Sequence, residues 1–475
     1  MIEALKPYPA SKDCGVPWLG AVPASWEVAP AVAAFRPKLV RNLGLTEKTV
    51  LSLSYGRIIV KPPDKLHGLV PESFETYQIV EPGNIIIRST DLQNDQTSLR
   101  VAIARDRGII TSAYMCLEVK GSMTADFGYL LLNSYDLLKV FYGYGSGLRQ
   151  NLDFRDLKRM PVLIPTPAEQ SAIVRFLNHA DQRIAGYIRA KRRLIQLLDE
   201  QKQALIRVAV TRGLNSSVAA KSSGLPWLGD IPAHWELRRA KQLCLAIIDC
   251  KNRTPEMVPD GGYVVVRTTC IRNGEFDISG SYPTDRRNYE IWTQRGAPRP
   301  GDVFFTREAP TGEACLVPGL SNLCMGQRMM YFRPNPEVLD SRFLLYSIYG
   351  PVVRTYIDHM GAGSTVSHLR LGQVYAMPLL WCPLPEQQEI VARVEEATNA
   401  ISAAQTRAQR EVELIREYRT RLIVDVVTGR LDVREAAAKL PDELEEPVAI
   451  HEAEMLEGEE VGDEAAEMVE VEAEA

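Results

Sequence analysis

Few side chains in this sequence could do chemistry, and their spacing argues against catalysis. Pro63-Asp64 with Glu118-Val119-Lys120 spells a nuclease-like PD…ExK, whose two carboxylates could hold a divalent ion. The two halves are far apart in sequence, and Glu118-Val119-Lys120 closes an ordinary strand pattern, so the spelling reads as chance. Lys61-Pro62-Pro63-Asp64 only echoes the Asn/Asp-Pro-Pro-Tyr/Phe motif of amino-methyltransferases. Gly143-Tyr144-Gly145-Ser146-Gly147 does not join a strand to a helix start, so it is not a cofactor loop. No GxxxxGK[ST] phosphate loop occurs, so ATP hydrolysis is not expected. The histidines (His67, His179, His234, His359, His368, His451) have no metal-ligand spacing. The eight cysteines (Cys14, Cys116, Cys244, Cys250, Cys270, Cys315, Cys324, Cys382) form no CxxC pair and are expected to be mostly reduced core residues.

What remains is recognition chemistry. Arg, Lys, Asn, Gln, Ser, Thr and Tyr cluster after predicted strands, the residue types that read base edges and phosphates. One set is Ser54-Tyr55-Gly56-Arg57, Lys61, Arg88-Ser89-Thr90-Asp91, Gln93-Asn94, Arg100 and Ser112-Ala113-Tyr114. A second is 263–272, above all Arg267, Thr268, Thr269 and Arg272, then Thr306-Arg307-Glu308, Gln327-Arg328, and 364–370 with His368 and Arg370. Taken singly, each reads first as a phosphate contact or a solvated charge; the clusters carry the expectation. Charge agrees. The net −5 of the 475 residues hides 15 acidic and no basic residues in 441–475, leaving +10 on 1–440. A basic body suits nucleic acid.

The elements that would position these clusters come in pairs. Gly15-Val16-Pro17-Trp18-Leu19-Gly20-Ala21-Val22-Pro23-Ala24-Ser25-Trp26-Glu27 returns as Gly224-Leu225-Pro226-Trp227-Leu228-Gly229-Asp230-Ile231-Pro232-Ala233-His234-Trp235-Glu236, with nine of thirteen positions identical. Trp18, Trp26, Trp227 and Trp235 are expected to anchor each motif against a helix. A β-rich stretch follows each motif, with strand candidates at 49–54, 85–87, 101–104 and 115–119 and a helix candidate at 129–142. Pro82-Gly83-Asn84 and Pro300-Gly301-Asp302 are matching turns into strands.

Each stretch ends in a long helix. The first, 166–213, opens on Thr166, Pro167 and Glu169, a capping box with Pro at the first turn, and closes on Gly213. Its apolar residues alternate by four and three: Ile173, Leu177, Ala180, Ile184, Tyr187, Leu194, Leu198, Leu205 and Val208, interrupted at Lys191 and Gln201. The partner seam lies 217 residues on: Ile390, Val394, Ala397, Ile401, Ala404, Ala408, Ile415, Tyr418 and Leu422. Glu169-Gln170 and Glu386-Gln387 match at the two helix starts. The flanks repeat more closely than the β-rich cargo, as expected if the cargo reads two different things.

The doubled Pro-Trp-Leu-Gly-x-Val/Ile-Pro-x-x-Trp motifs (Pro17 to Trp26, Pro226 to Trp235) and the doubled Glu-Gln-x-x-Ile-Val helix starts (Glu169 to Val174, Glu386 to Val391) resemble the specificity subunit of type I restriction–modification systems. The resemblance spans about residues 15–433, in the full domain order. It implies an α+β fold with two β-rich target recognition domains, a pseudo-twofold internal repeat, and two long helices packed as an antiparallel coiled coil. Each recognition domain would read one half of a bipartite, asymmetric site in double-stranded DNA. The helices would set the spacing and dock two modification (methyltransferase) subunits, to which restriction (translocase/nuclease) subunits add. The chain itself would do no chemistry and carry no cofactor, S-adenosylmethionine, ATP and Mg being expected in the partner subunits.

The expected organisation is a lead-in at 1–14, recognition domain one at 15–165 (Trp motif 15–27), spacer helix at 166–213, linker at 214–223, recognition domain two at 224–384 (Trp motif 224–236), second spacer helix at 385–433, and an acidic disordered tail at 434–475. The tail reads first as solubilising, second as a competitor of DNA. No run of 18 apolar residues and no apolar leader occurs, so a cytoplasmic protein is expected. Two other readings are a coiled-coil scaffold whose β domains bind protein, which the basic body disfavours, and a fused restriction–methylation enzyme, for which no cofactor module is visible.

Overall fold

The computed structural model describes residues 5–54, 56–62, 73–95, 98–144, 151–215, 217–361 and 368–441. The chain forms two compact units, residues 1–192 with 409–475, and residues 193–408. Both long helices run through both units: Pro167–Arg212 and Leu384–Val427.

Each unit is built on a four-stranded antiparallel sheet of the same order. In the first unit the order is Phe35–Lys38, Met115–Val119, Ile85–Ile87, Val101–Ile103. In the second it is Cys244–Asp249, Met329–Pro334, Val303–Thr306, Ala314–Leu316. The central strands of both are buried on every residue, Ile85–Ile87 and Val303–Thr306, which explains the apolar spelling of Ile85–Ile87 and of Val303–Phe305. A short strand after each Trp motif pairs with the strand leading into a long helix: Glu27–Pro30 with Pro161–Ile164, and Glu236–Arg239 with Pro378–Trp381. The repeated Met-Pro pairs (Met160-Pro161, Met377-Pro378) therefore mark the same joint twice.

Within each unit the helices pack antiparallel. In the first, Ile173, Phe176, Leu177 and Ala180 share a core with Leu422, Ile423, Val426 and Val427, and Ile184 and Ile188 meet Val412. In the second, Ile206, Ala209 and Val210 meet Ile390, Val391 and Val394. Burying each large aliphatic side chain here contributes roughly 1.5–3 kcal/mol. The buried residues drift off the sequence seam: Tyr187, Leu205, Val208 and Tyr418 are exposed, while Ile188, Ile206 and Ala209 are buried. A strict heptad stripe walks about 20° per heptad round a helix of 3.6 residues per turn. Over the five heptads from Ile173 to Val208 that is about 100°, one residue, which is the observed displacement. Lys191, which breaks the seam, reaches Glu411 on the other helix at 2.6 Å, and Asp181 accepts two bonds from Arg419 at 3.0 and 2.9 Å.

Both helices stop at a left-handed glycine, Gly213 (φ 69°) and Gly429 (φ 77°), each packed on the second Trp of a motif, Trp235 and Trp26 respectively. The second helix accordingly ends at Val427, within the segment expected at 385–433. Two segments expected to lack structure are ordered. Ser11–Asp13 pairs with Ala21–Pro23, and Lys6 bridges Asp432. Residues 434–438 form a short helix, Arg434–Ala438, because Val433 and Ala437, four apart, bury one apolar face in the first unit. The tail expectation from residue 442 onward, and the candidates Tyr55, Pro63, Asp64 and His67, lie outside the described residues. The helix expected at 129–142 is Ala125–Leu137, followed by a 3-10 turn at Val140–Gly143.

Candidate nucleic-acid interface

In the first unit the loop leaving strand Ile85–Ile87 is organised from inside. Arg100 is 0% exposed. Its guanidinium donates to the carbonyls of Arg88 (3.3 Å), Thr90 (2.8 Å) and Asp91 (3.1 Å), to that of Asp95, and to the Tyr142 hydroxyl (3.2 Å). Its own N–H donates to the Asp136 carboxylate at 2.6 Å. Arg100 therefore shapes the loop and does not reach a ligand, which corrects its expected role. The loop surface carries Arg88, paired with Asp95 at 3.2 Å, and exposed Asn94, which donates to Asp91 at 2.9 Å. Ser89 donates to the carbonyl of Ala113 at 3.0 Å and so ties in the turn bearing Ser112 and Tyr114. Gln78 holds the same turn through the Thr111 and Tyr114 carbonyls at 3.0 and 2.6 Å. Arg88, Thr90, Asn94, Ser112 and Tyr114 are thus brought together. Arg57 stands apart on the hairpin Leu51–Ser54/Arg57–Val60, and Lys61 lies at the other end of that hairpin.

The second unit gathers charges at the matching end of its sheet. Arg328 (φ 70°) donates to Glu308 at 2.8 Å, and His368 Nδ1 lies 2.6 Å from the other Glu308 oxygen. Arg307 is turned inward to Asp249 at 3.1 Å, its side chain 12% exposed. It buttresses the cluster through its backbone, accepting from Leu369, so its expected role as a DNA contact is corrected too. Arg267 sits beside Gly326, the residue that starts the turn to Arg328, because Tyr263–Val266 runs parallel to Leu323–Met325. Thr269 is tied to the carbonyl of Gly280 at 2.9 Å within the 3-10 turn Thr268–Cys270, and exposed Arg272 lies on a separate hairpin, Ile271–Arg272/Glu275–Phe276. Arg370 is exposed at the N-terminus of the helix Leu371–Ala376.

The frame residues have defined partners. Gln170 is buried, accepting from the Thr124 N–H and hydroxyl (2.8 and 2.9 Å) and donating to the Ser122 and Pro165 carbonyls (both 2.9 Å). Gln387 does the same with the Asp340 N–H (2.9 Å) and the Val338 and Cys382 carbonyls (2.9 and 2.7 Å). Trp26 and Trp235 are fully buried, each edge-on to a phenylalanine, Phe127 and Phe343, at 6.3 Å. Trp18 packs edge-on to Tyr135 at 4.8 Å, but Trp227 is exposed. By the spacing that equates Phe127 with Phe343, the position matching Tyr135 is Pro351, so Trp227 has no aromatic partner there.

The positive charge is uneven. Residues 15–165 hold seventeen basic and fourteen acidic residues, 224–384 seventeen and fifteen, and the first long helix nine and four. Local clusters, not bulk charge, mark the two sheet ends. All eight cysteines are free, and burial pushes the thiols of Cys116, Cys244, Cys315 and Cys324 up to about 12. Among the described residues there is no group of His, Cys, Asp and Glu that could hold a metal, and no helix long and apolar enough to cross a membrane.

No family model matches the sequence, and no curated protein matches it. Solved structures do. A chain in the structure of a type I R-M system, studied for complex assembly and conformational transition, superposes with a TM-score of 0.56 at 15% identity, over 86% of this chain and 99% of that one. The chain has the fold of that type I R-M chain. The HsdS subunit from Thermoanaerobacter tengcongensis matches at TM-score 0.42 and 14% identity, over 86% and 98% of the two chains. The type I restriction–modification S subunit from M. genitalium matches at 0.32 and 12%, over 84% and 96%.

The sequence clusters on each sheet end include most of these residues. Asn151, whose Oδ1 accepts from the Asp91 N–H at 3.1 Å, was missed. Its only sequence signal is its place before Leu152, which matches His368 before Leu369 at the 217-residue offset.

Proposed function

We propose that this chain is the sequence-specific DNA-recognition subunit of a type I restriction–modification complex. One observation carries the reading: two sheets of identical strand order present different polar clusters at the same end. Each β-rich region reads one half of a bipartite, asymmetric site in double-stranded DNA. The long helices set the spacing between half-sites and dock two modification subunits, and restriction subunits join that assembly. The chain is non-catalytic and binds no cofactor; S-adenosylmethionine, ATP and Mg2+ act in the partner subunits. Such a complex works in the cytoplasm.

The test is adenine methylation mapped genome-wide in cells with and without this chain. A bipartite motif that disappears with the chain is expected; an unchanged methylation pattern contradicts the reading. In vitro, DNA affinity of the complex with its modification subunits should fall steeply with salt, because phosphate neutralisation releases counterions. Salt-insensitive or absent binding would favour a protein-binding scaffold.

A further inference from the structure

The two sheets carry the same device at the same place. The N–H of Leu152 donates to the carbonyl of Ser89 at 2.8 Å, and the N–H of Leu369 donates to the carbonyl of Arg307 at 3.1 Å. Ser89 is four residues after the start of strand Ile85–Ile87, and Arg307 four after the start of Val303–Thr306. Both leucines are buried. Two residues further on, each loop turns left-handed at a residue other than glycine, Asp91 (φ 59°) and Ala309 (φ 50°). Such conformations persist only where surrounding contacts impose them, and they gather at functional sites.

The residue before each anchoring leucine is exposed and polar: Asn151 in one unit, His368 in the other. Each is oriented by the neighbouring loop. Asn151 Oδ1 accepts from the Asp91 N–H at 3.1 Å, and His368 Nδ1 meets Glu308 at 2.6 Å, with Glu308 fixed from its other oxygen by Arg328 at 2.8 Å. The anchor is the same while the side chain it presents differs, which is what two readers of unlike half-sites require.

We propose that Asn151 and His368 are specificity-determining residues, one for each half-site; this rests on the recognition function proposed above. An asparagine amide pairs in bidentate fashion with adenine N6 and N7. With Nδ1 held by Glu308, the other ring nitrogen of His368, Nε2, is left to meet a polar atom on a base edge.

The experiment uses the full chain assembled with its modification subunits and a DNA library randomised in both half-sites. Asn151→Asp keeps an oxygen for the Asp91 N–H and removes the amide donors. It is expected to change base preference at one half-site by about 5- to 150-fold and leave the other untouched. His368→Gln is expected to do the converse. Should either fail to assemble, Asn151→Ser and His368→Asn ask the same question. Uniform weakening over all sequences, or an unchanged preference, overturns the assignment while leaving the recognition function standing. A wild-type complex with no bipartite preference would sink that function and the assignment with it.

Discussion

Gln170 and Gln387 make the same three backbone bonds in the two units, whereas the glutamates beside them differ. Glu386 closes a chain, accepting from Trp235 Nε1 at 3.0 Å and lying 2.7 Å from His234 Nε2. Glu169 has no such closure: its Oε1 is 4.0 Å from Arg434, and Trp26 Nε1 is buried with no hydrogen-bond partner among the described residues. The Tyr8 phenol is pushed well up by burial and by the facing Glu169 carboxylate. Ser25 stands where the second motif has His234. The glutamines satisfy backbone groups whose positions both copies share, so the same residue serves in both. The glutamates meet side chains, which differ between the units, and of the two only Glu386 bonds to the Trp of its motif. The loops after the central strands extend the same rule: backbone anchors repeat, and the side chains hung on them diverge.

That contrast can be broken in graded steps. Arg100→Ala should have the largest effect, on the order of 4 kcal/mol lost from the first unit, because four carbonyls lose a buried charged donor; unfolding in denaturant measures it. An altered motif with normal stability would restore Arg100 as a reader. Gln170→Leu and Gln387→Leu should each cost roughly 3 kcal/mol, since each strands several buried backbone groups. Clearly unequal costs would contradict the equivalence of the two frames.

The terminal glycines sharpen the comparison. A Cβ on Gly429 would come 2.3 Å from Pro23, while one on Gly213 would come 3.3 Å from Trp235. Gly429→Ala should cost about 3 kcal/mol and Gly213→Ala about 1, both through left-handed backbone and the former also through overpacking. The smallest effect is acid-dependent and confined to the first unit. Arg434 holds the Asp432 carboxyl below its ordinary value. A depressed carboxyl stabilises the fold above the ordinary value of about 3.9 and loses that contribution as pH falls through the folded value. The protection of the Ala437 amide, which donates to the Val433 carbonyl, relative to its intrinsic exchange should therefore fall below about pH 4, and Arg434→Met should abolish the acid dependence.

The frame was legible because it is written locally and twice. The Trp motifs, Met-Pro joints, Glu-Gln helix starts and terminal glycines each specify one backbone feature, and each occurs in both halves, the Trp motifs 209 residues apart, the joints and helix starts 217 and the glycines 216. The seam was legible in kind but displaced, because a heptad count ignores the drift of a 3.6-residue helix. Arg100 and Arg307 were misplaced for a different reason. An arginine in a polar loop has the same spelling whether it faces solvent or satisfies carbonyls from within, and only burial separates the two. Asn151 depends on Asp91, and the ordered segments at 5–13 and 431–441 depend on each other through the Lys6–Asp432 bridge, partners too distant in sequence for local pattern to reveal them.

The central claim, that each β-rich region reads its own half of the site, is tested most directly by exchange. Residues 28–160 are replaced by the matching segment of a relative with a different target, and the methylated motif is mapped in cells supplying the modification subunits. The account predicts that one half of the motif changes to the donor's and the other half and the spacing stay. A change in both halves, or in neither, would contradict it.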